Sequence, residues 1–453
     1  VTSLRRARAF GGAAPEAVRV AVVGGGASGV ITALHLLRAA TPEQPVEVCL
    51  VDREARLGPG LAYRHDHPRH TLNNYAGRLS AVAEDPDHLV RWCRAAGYDV
   101  DPTDFLPRTL YGDYLTDLVE NAPVPTGSAL GRVRGTVRDV LREDDGVHVH
   151  LTGGWSVVAD AVVLALGNPP PARLMKYAAH AGYLPDPWVP DLAEQVGEPA
   201  EVLLVGSGLT ALDVVSVLHD STPMTRFTLV SRHGLLPRTH RTDPSPMRQT
   251  VDVPAGRLEE MVTQVRALVD QAATDGEDWR DVVDTLRASA NRLWRGLDEE
   301  EQATFVRDHG RAWEVARHRM PPAQAEFVRQ LKASGRLVVR TPGEVDPVAF
   351  DRVVNCSGPA PVTTRGWNPL VDALLDRGTI RPHRLGLGLD LDPTGRVVDS
   401  TGEPLPDVFA VGPARRGLDW EVTAVPDLRV QALEVAEEIL PALEGRGGHS
   451  VTA

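Results

Sequence analysis

The chain has 453 residues, too many for one ordinary hydrophobic core, so two domains with room to bury a large cofactor are expected. Its formal net charge of −13, from 48 basic and 61 acidic residues, argues against nucleic acid and anionic membrane surfaces as partners. No run approaches the roughly 18 apolar residues of a membrane span, and a cytoplasmic location is expected.

Arg5, Arg6 and Arg8 precede Ala-Phe-Gly-Gly-Ala-Ala-Pro, too short and broken for a signal-peptide core, so residues 1–16 read as a disordered tail. The first strong element is the apolar strand Val20–Val23. It runs into Gly24-Gly25-Gly26-Ala27-Ser28-Gly29 and then a helix with Ile31, Leu34, Leu36 and Leu37 on its apolar face. Such a turn holds a dinucleotide pyrophosphate. The first glycine turns tightly, the second admits the phosphates, and the third lets the helix pack on its strand. The anion then rests on the unpaired N–H groups of the helix N-terminus. The next strand, Val46–Val51, ends in Asp52 and Arg53, at about the twenty-residue spacing expected of a carboxylate gripping ribose hydroxyls. Gly24, Gly26, Ala27, Ser28, Gly29, Asp52 and Arg53 are therefore candidate FAD ligands.

An irregular segment follows, with Gly58–Tyr63 and His70–Ser80, leaving the carboxyl end of a parallel strand where ligands of doubly wound sheets bind. Asn73, Asn74 and Ser80 are placed to hydrogen-bond an isoalloxazine ring, or are ordinary turn residues. His65, His67 and His70 cluster around Pro68 and Arg69 without metal-ligand spacing, and no metal site is expected. A β meander covers Gly131–Leu151 and includes Val137. The buried strand Ala161–Leu166 then ends in Gly167, where the backbone would pass the flavin again.

The second glycine turn, Gly206-Ser207-Gly208-Leu209-Thr210-Ala211, follows Val202–Val205. Its next strand, Phe227–Val230, ends in Ser231-Arg232 with no acid; an arginine there meets the 2′-phosphate of NADP. Gly206, Ser207, Gly208, Leu209, Thr210, Ser231 and Arg232 are candidate NADPH ligands. The three cysteines, Cys49, Cys93 and Cys356, include no CxxC pair to pass electrons from a flavin to a disulfide.

Residues 254–334 switch to helical spacing, with Leu258, Val262, Val265 and Val269, then Trp279, Val283, Leu286, Ala290 and Leu293. This reads as a helical insertion in the second domain, a substrate lid or a partner surface. It ends in Arg317-His318-Arg319, which either grips a carboxylate or satisfies a helix C-terminus. The strand Asp407–Val411 is capped by Gly412. The segment around Thr423 leads into a terminal helix whose N-terminus would face the flavin's pyrimidine end.

Together, the first turn with Asp52, Ala-Leu-Gly at 165–167, the second turn and Phe-Ala-Val-Gly at 409–412 resemble the two-dinucleotide-binding flavoproteins. Gly-Pro-Gly-Leu-Ala-Tyr, Asn-Asn-Tyr-Ala-Gly-Arg-Leu-Ser and Trp-Glu-Val-Thr-Ala-Val-Pro are similar to flavin-dependent N-monooxygenases of actinobacterial secondary metabolism, one branch of which oxidises aspartate to nitrosuccinate. The Baeyer–Villiger fingerprint is not present in its usual form. The resemblance implies an α/β fold with two Rossmann-like domains of glutathione-reductase type. It places FAD on residues 17–198 and 356–445, and NADPH on 199–355. It implies hydride transfer from NADPH to FAD, reaction with O₂ to a C4a-peroxyflavin, and attack by a neutral amine. An amino-acid substrate such as aspartate would need cationic partners, for which Arg238, His240 and Arg241, or Arg317, His318 and Arg319, are the candidates. The base and the oligomeric state are left open. Two further readings stand beside this one: a flavin oxidoreductase acting on carbon or sulfur, and a non-enzymatic flavoprotein using its helical insertion to bind a partner.

Overall fold

A computed structural model describes residues 5–6, 13–14, 16–197, 200–244 and 253–443. Two parallel sheets organise it. The first has six strands in the order Arg396–Val398, Pro404–Ala410, Ala161–Leu164, Val18–Val23, Val46–Asp52, Ala129–Arg134. All neighbours are parallel except the outermost pair, Arg396–Val398 with Pro404–Ala410. Its central strands are buried and rich in valine, the pattern of a sheet covered on both faces. Helices Ala27–Ala39 and Val425–Leu443 pack together on one face through Leu36, Leu37, Val435 and Ile439. The meander Val137–Glu143, Gly146–Leu151, Trp155–Ala159 covers the other.

The second sheet is wholly parallel, ordered Leu337–Arg340, Arg226–Val230, Glu201–Val205, Arg352–Asn355, Tyr183–Leu184. It repeats the strand–glycine–helix unit of the first, with helix Leu209–Ser221 packed on Val202 and Leu204. Among the described residues no helix is long and apolar enough to cross a membrane.

Two expectations are corrected. Arg5–Arg6, placed in a disordered tail, pair in parallel with Trp155–Ser156; most of the remaining tail lies outside the described residues. The helical insertion is also shorter than 254–334. Helices Leu258–Thr274, Trp279–Arg287, Ala290–Arg295, Glu299–Thr304 and Gly310–Arg317 do form a lobe. Pro322–Ala333, however, buries Phe327, Val328 and Leu331 in the core of the second sheet, as its crossover helix. Helical periodicity is the same in both, so only the partner of the apolar face separates them. The lobe packs across the chain onto Trp420, Leu385 and Leu387.

Candidate active site

The two glycine turns are built alike. Gly24 has φ +113° and Gly206 φ +128°, the left-handed region that favours glycine. A Cβ on Gly24 would overlap the Ala165 carbonyl oxygen, and one on Gly206 that of Cys356, each lying just past the neighbouring strand. A Cβ on Gly29 would overlap the Gly24 carbonyl, so the third glycine seats the helix on its own turn.

Both helices suit a bound pyrophosphate. Each starts at a glycine, Gly26 or Gly208, with no side-chain cap and no acid in its first turn. Their first N–H groups thus lack the usual side-chain acceptor, which an anionic ligand would supply. A Cβ on Gly208 meets nothing within 4 Å, and one on Gly26 meets only Gly60 Cα, at 3.5 Å. Asp52 Oδ2 accepts from Gly25 N at 2.5 Å and Oδ1 from Glu54 N at 2.7 Å. Each oxygen keeps a lone pair for a ribose hydroxyl. Arg53 is exposed beside Glu54, and Val137 is buried at the head of its strand.

Arg232 is exposed just past the strand Arg226–Val230. Arg232→Ala is expected to raise the KM for NADPH about 10-fold or more, the size of a lost charge-assisted hydrogen bond, while changing that for NADH little. Parallel steady-state titrations with the two nucleotides check this, and equal changes would remove the 2′-phosphate contact.

Beside the second turn lies a cleft of about 520 Å³. It is lined by Asn168 and Pro169, by Gly208, Leu209 and Thr210, by Pro413 and Thr423, and by Arg311, Glu314, His318 and Arg416. Gly167, at φ +70°, has open space where a Cβ would stand. Gly412 is instead packed against Ser28, and its N–H donates to Gln431 Oε1 at 2.8 Å.

His318 is the one member of the basic triplet that lines the cleft. Its Nδ1 is 2.6 Å from Glu314 Oε2, while Arg416 Nη2 is 2.7 Å from Oε1 of the same carboxylate. Burial pushes the Glu314 carboxyl up, but His318 and Arg416 outweigh it and hold the group well below its ordinary value. The His318–Glu314–Arg416 relay was missed in the sequence. Its signal was the i, i+4 spacing of Glu314 and His318, the latter capping the helix Gly310–Arg317.

None of the other expected substrate residues lines this cleft, and most are engaged elsewhere. Arg319 is buried and donates to Asp284 Oδ1 at 2.5 Å, while Arg78 bonds Oδ2 of the same group at 2.6 Å. Arg317 is buried with Nε 3.6 Å from Glu421 Oε2; desolvation, then Arg287, push it down to about 10. Arg238 is exposed, and Arg241 Nη1 reaches Asp281 Oδ2 at 3.3 Å. Three hydroxyl and amide groups placed on cofactors also find protein partners. Ser80 Oγ closes its own turn onto the Val82 and Asp85 carbonyls, Ser207 Oγ donates to Leu235 O, and Asn74 Oδ1 accepts from Tyr75 N.

His240 is a clasp between the two halves. Its Nε2–H donates to Asn73 O at 2.9 Å, and Tyr75 OH donates to Arg241 O at 2.8 Å. Burial, then Arg319, push His240 from 6.5 down to about 3. The unfolded chain therefore binds more protons between those values, so this contribution to stability is complete above about pH 6.5 and declines as pH falls toward 3. His240→Gln cannot take up that proton, and its Tm is expected to vary less between about pH 7 and 4 than the parent's. Equal slopes in calorimetry would exclude the clasp as a source of acid sensitivity.

Residues 21–169 match the profile of a family described as FAD-NAD(P)-binding. No curated protein matches the chain by sequence. Among solved structures, the chain resembles the ornithine hydroxylase PvdA from Pseudomonas aeruginosa, with 14% identity, TM-score 0.56, and coverage of 94% of this chain and 100% of that one. It also resembles the L-lysine 6-monooxygenase from Pseudomonas syringae, with 14% identity, TM-score 0.56, and 94% and 99% coverage. A third is the Kutzneria sp. 744 ornithine N-hydroxylase KtzI, in a structure with reduced FAD, NADP⁺ and L-ornithine, with 14% identity, TM-score 0.55, and 93% and 98% coverage. At such identity the likeness is one of fold: the chain has the doubly wound α/β architecture of FAD/NAD(P)-binding flavoproteins.

Proposed function

We propose that this chain is an FAD- and NADPH-dependent monooxygenase that oxidises the amino nitrogen of a small acidic amino acid, with aspartate the best candidate. The observation that carries the reading is the cleft beside the second glycine turn, which holds a His–Glu pair and two arginines. FAD on residues 17–198 and 356–445 would supply the redox chemistry with NADPH, bound on 199–355, and O₂.

The protein's own groups then have defined tasks. Glu314 takes the Nδ1–H of His318, which leaves the Nε2 lone pair to remove a proton from the substrate ammonium. An amine is otherwise mostly protonated at neutral pH and a poor nucleophile. Arg311 and Arg416, on the same cleft, supply positive charge for the substrate carboxylates. Cys49, Cys93 and Cys356 are all buried and free, and burial pushes Cys49 up to about 12 and Cys356 higher still. These thiols are unsuited to a dithiol relay, which favours oxygen as the electron acceptor.

The test is NADPH consumption across a panel of amino acids, with peroxide and nitrite measured together. Aspartate should accelerate NADPH oxidation and give an N-oxidised product that releases nitrite. Aspartate yielding peroxide alone would overturn the substrate assignment.

A further inference from the structure

We propose a zinc-class divalent cation site on Glu143, His148 and His150, at the tip of the meander and sharing no residue with the cleft. His148 and His150 stand two apart on the strand Gly146–Leu151, so their side chains leave the same face. Their rings are stacked, with centroids 6.0 Å apart. Glu143 closes the adjoining strand opposite Gly146, which brings its carboxylate back over this pair. One ligand atom from each of the three residues lies within 4.8 Å of the others.

Two details point to a cation. His150 Nε2 is buried with no hydrogen-bond partner, a nitrogen left without the contact that burial normally demands. His148 Nε2 faces two carboxylates, Asp145 Oδ1 at 2.6 Å and Glu143 Oε2 at 3.6 Å, so two anionic oxygens are gathered at one imidazole. Imidazole nitrogens with carboxylate oxygen suit zinc and its neighbours, whereas magnesium and calcium prefer oxygen alone. The ligand atoms must draw in to reach bonds of about 2.0–2.2 Å. The exposed turn residues Asp144 and Asp145 allow this, and Asp145 becomes the fourth ligand or orients His148. The bound ion ties two strands of the meander together.

The test uses the full, tag-free chain, stripped with chelator and titrated calorimetrically with zinc chloride. One equivalent is expected to bind in the low micromolar range and to raise Tm, since an ion that binds only the folded chain stabilises it. Magnesium chloride should do neither. Glu143→Gln, at an exposed position, and His150→Gln should each weaken zinc binding at least 10-fold while keeping the parent's metal-free Tm. Zinc binding at parental strength in both variants, no zinc binding in the parent, or equal binding of magnesium would overturn the site.

Discussion

Gly24→Val is expected to yield protein that purifies without flavin. The substitution asks a β-branched residue to adopt φ +113°, and its Cβ would overlap the Ala165 carbonyl oxygen. Backbone strain of this kind costs about 1–3 kcal/mol before the clash is counted. The clash cannot be relieved cheaply, because Ala165 continues a central strand, with Ala165 N donating to Val23 O at 2.9 Å. The turn must open, and with it the row of N–H groups that would hold the pyrophosphate. A loss of flavin affinity of at least about 100-fold is therefore expected, equivalent to about 2.7 kcal/mol. Flavin absorbance per protein after desalting measures it. Gly206→Val is the matched control: the same strain falls on the second turn, against Cys356, and should leave a yellow protein that no longer binds NADPH. Full flavin content in Gly24→Val would remove the first turn as the FAD site.

His318→Gln is expected to lower kcat for N-oxidation by about 10²–10⁴-fold, the usual range for loss of a positioned base. Glutamine keeps a polar side chain beside Glu314 but cannot accept the ammonium proton. Flavin content should be unchanged. NADPH oxidation should persist, with peroxide replacing the N-oxidised product, because the deleted step concerns the substrate and not the cofactors. A variant with parental product yield would exclude His318 as the base. Arg416→Ala should act differently, raising the substrate KM more than it lowers kcat, as expected when a group binds ground and transition states alike.

The glycine turns were legible because their information is local. A strand, a turn needing left-handed φ and a helix lie within about ten residues, and the same constraint recurs at Gly24 and Gly206. The parallel sheets followed from buried valine-rich strands alternating with helices. The candidate site was only partly legible, and the reason is hydrogen-bond satisfaction. Whether a side chain is available to a ligand depends on partners distant in sequence, and burial leaves few donors unmatched. Arg319 reads as a substrate cation until Asp284 is brought beside it, together with Arg78, which is 206 residues from that aspartate. Ser80 and Ser207 read as cofactor ligands until neighbouring carbonyls claim their hydroxyls.

By itself, then, the sequence determined the two dinucleotide turns, Asp52 and Arg232 at their strand ends, and a chain without a cysteine pair. Only the tertiary structure decided that the lobe's last helix, Gly310–Arg317, faces the Pro413–Thr423 segment across one cleft. It also decided that His318, with Glu314 and Arg416, is the member of the basic triplet turned toward it. The physical reason is that a helix's periodicity records which face is apolar but not what that face meets. Here it meets Trp420, packed among Trp294 and Phe305.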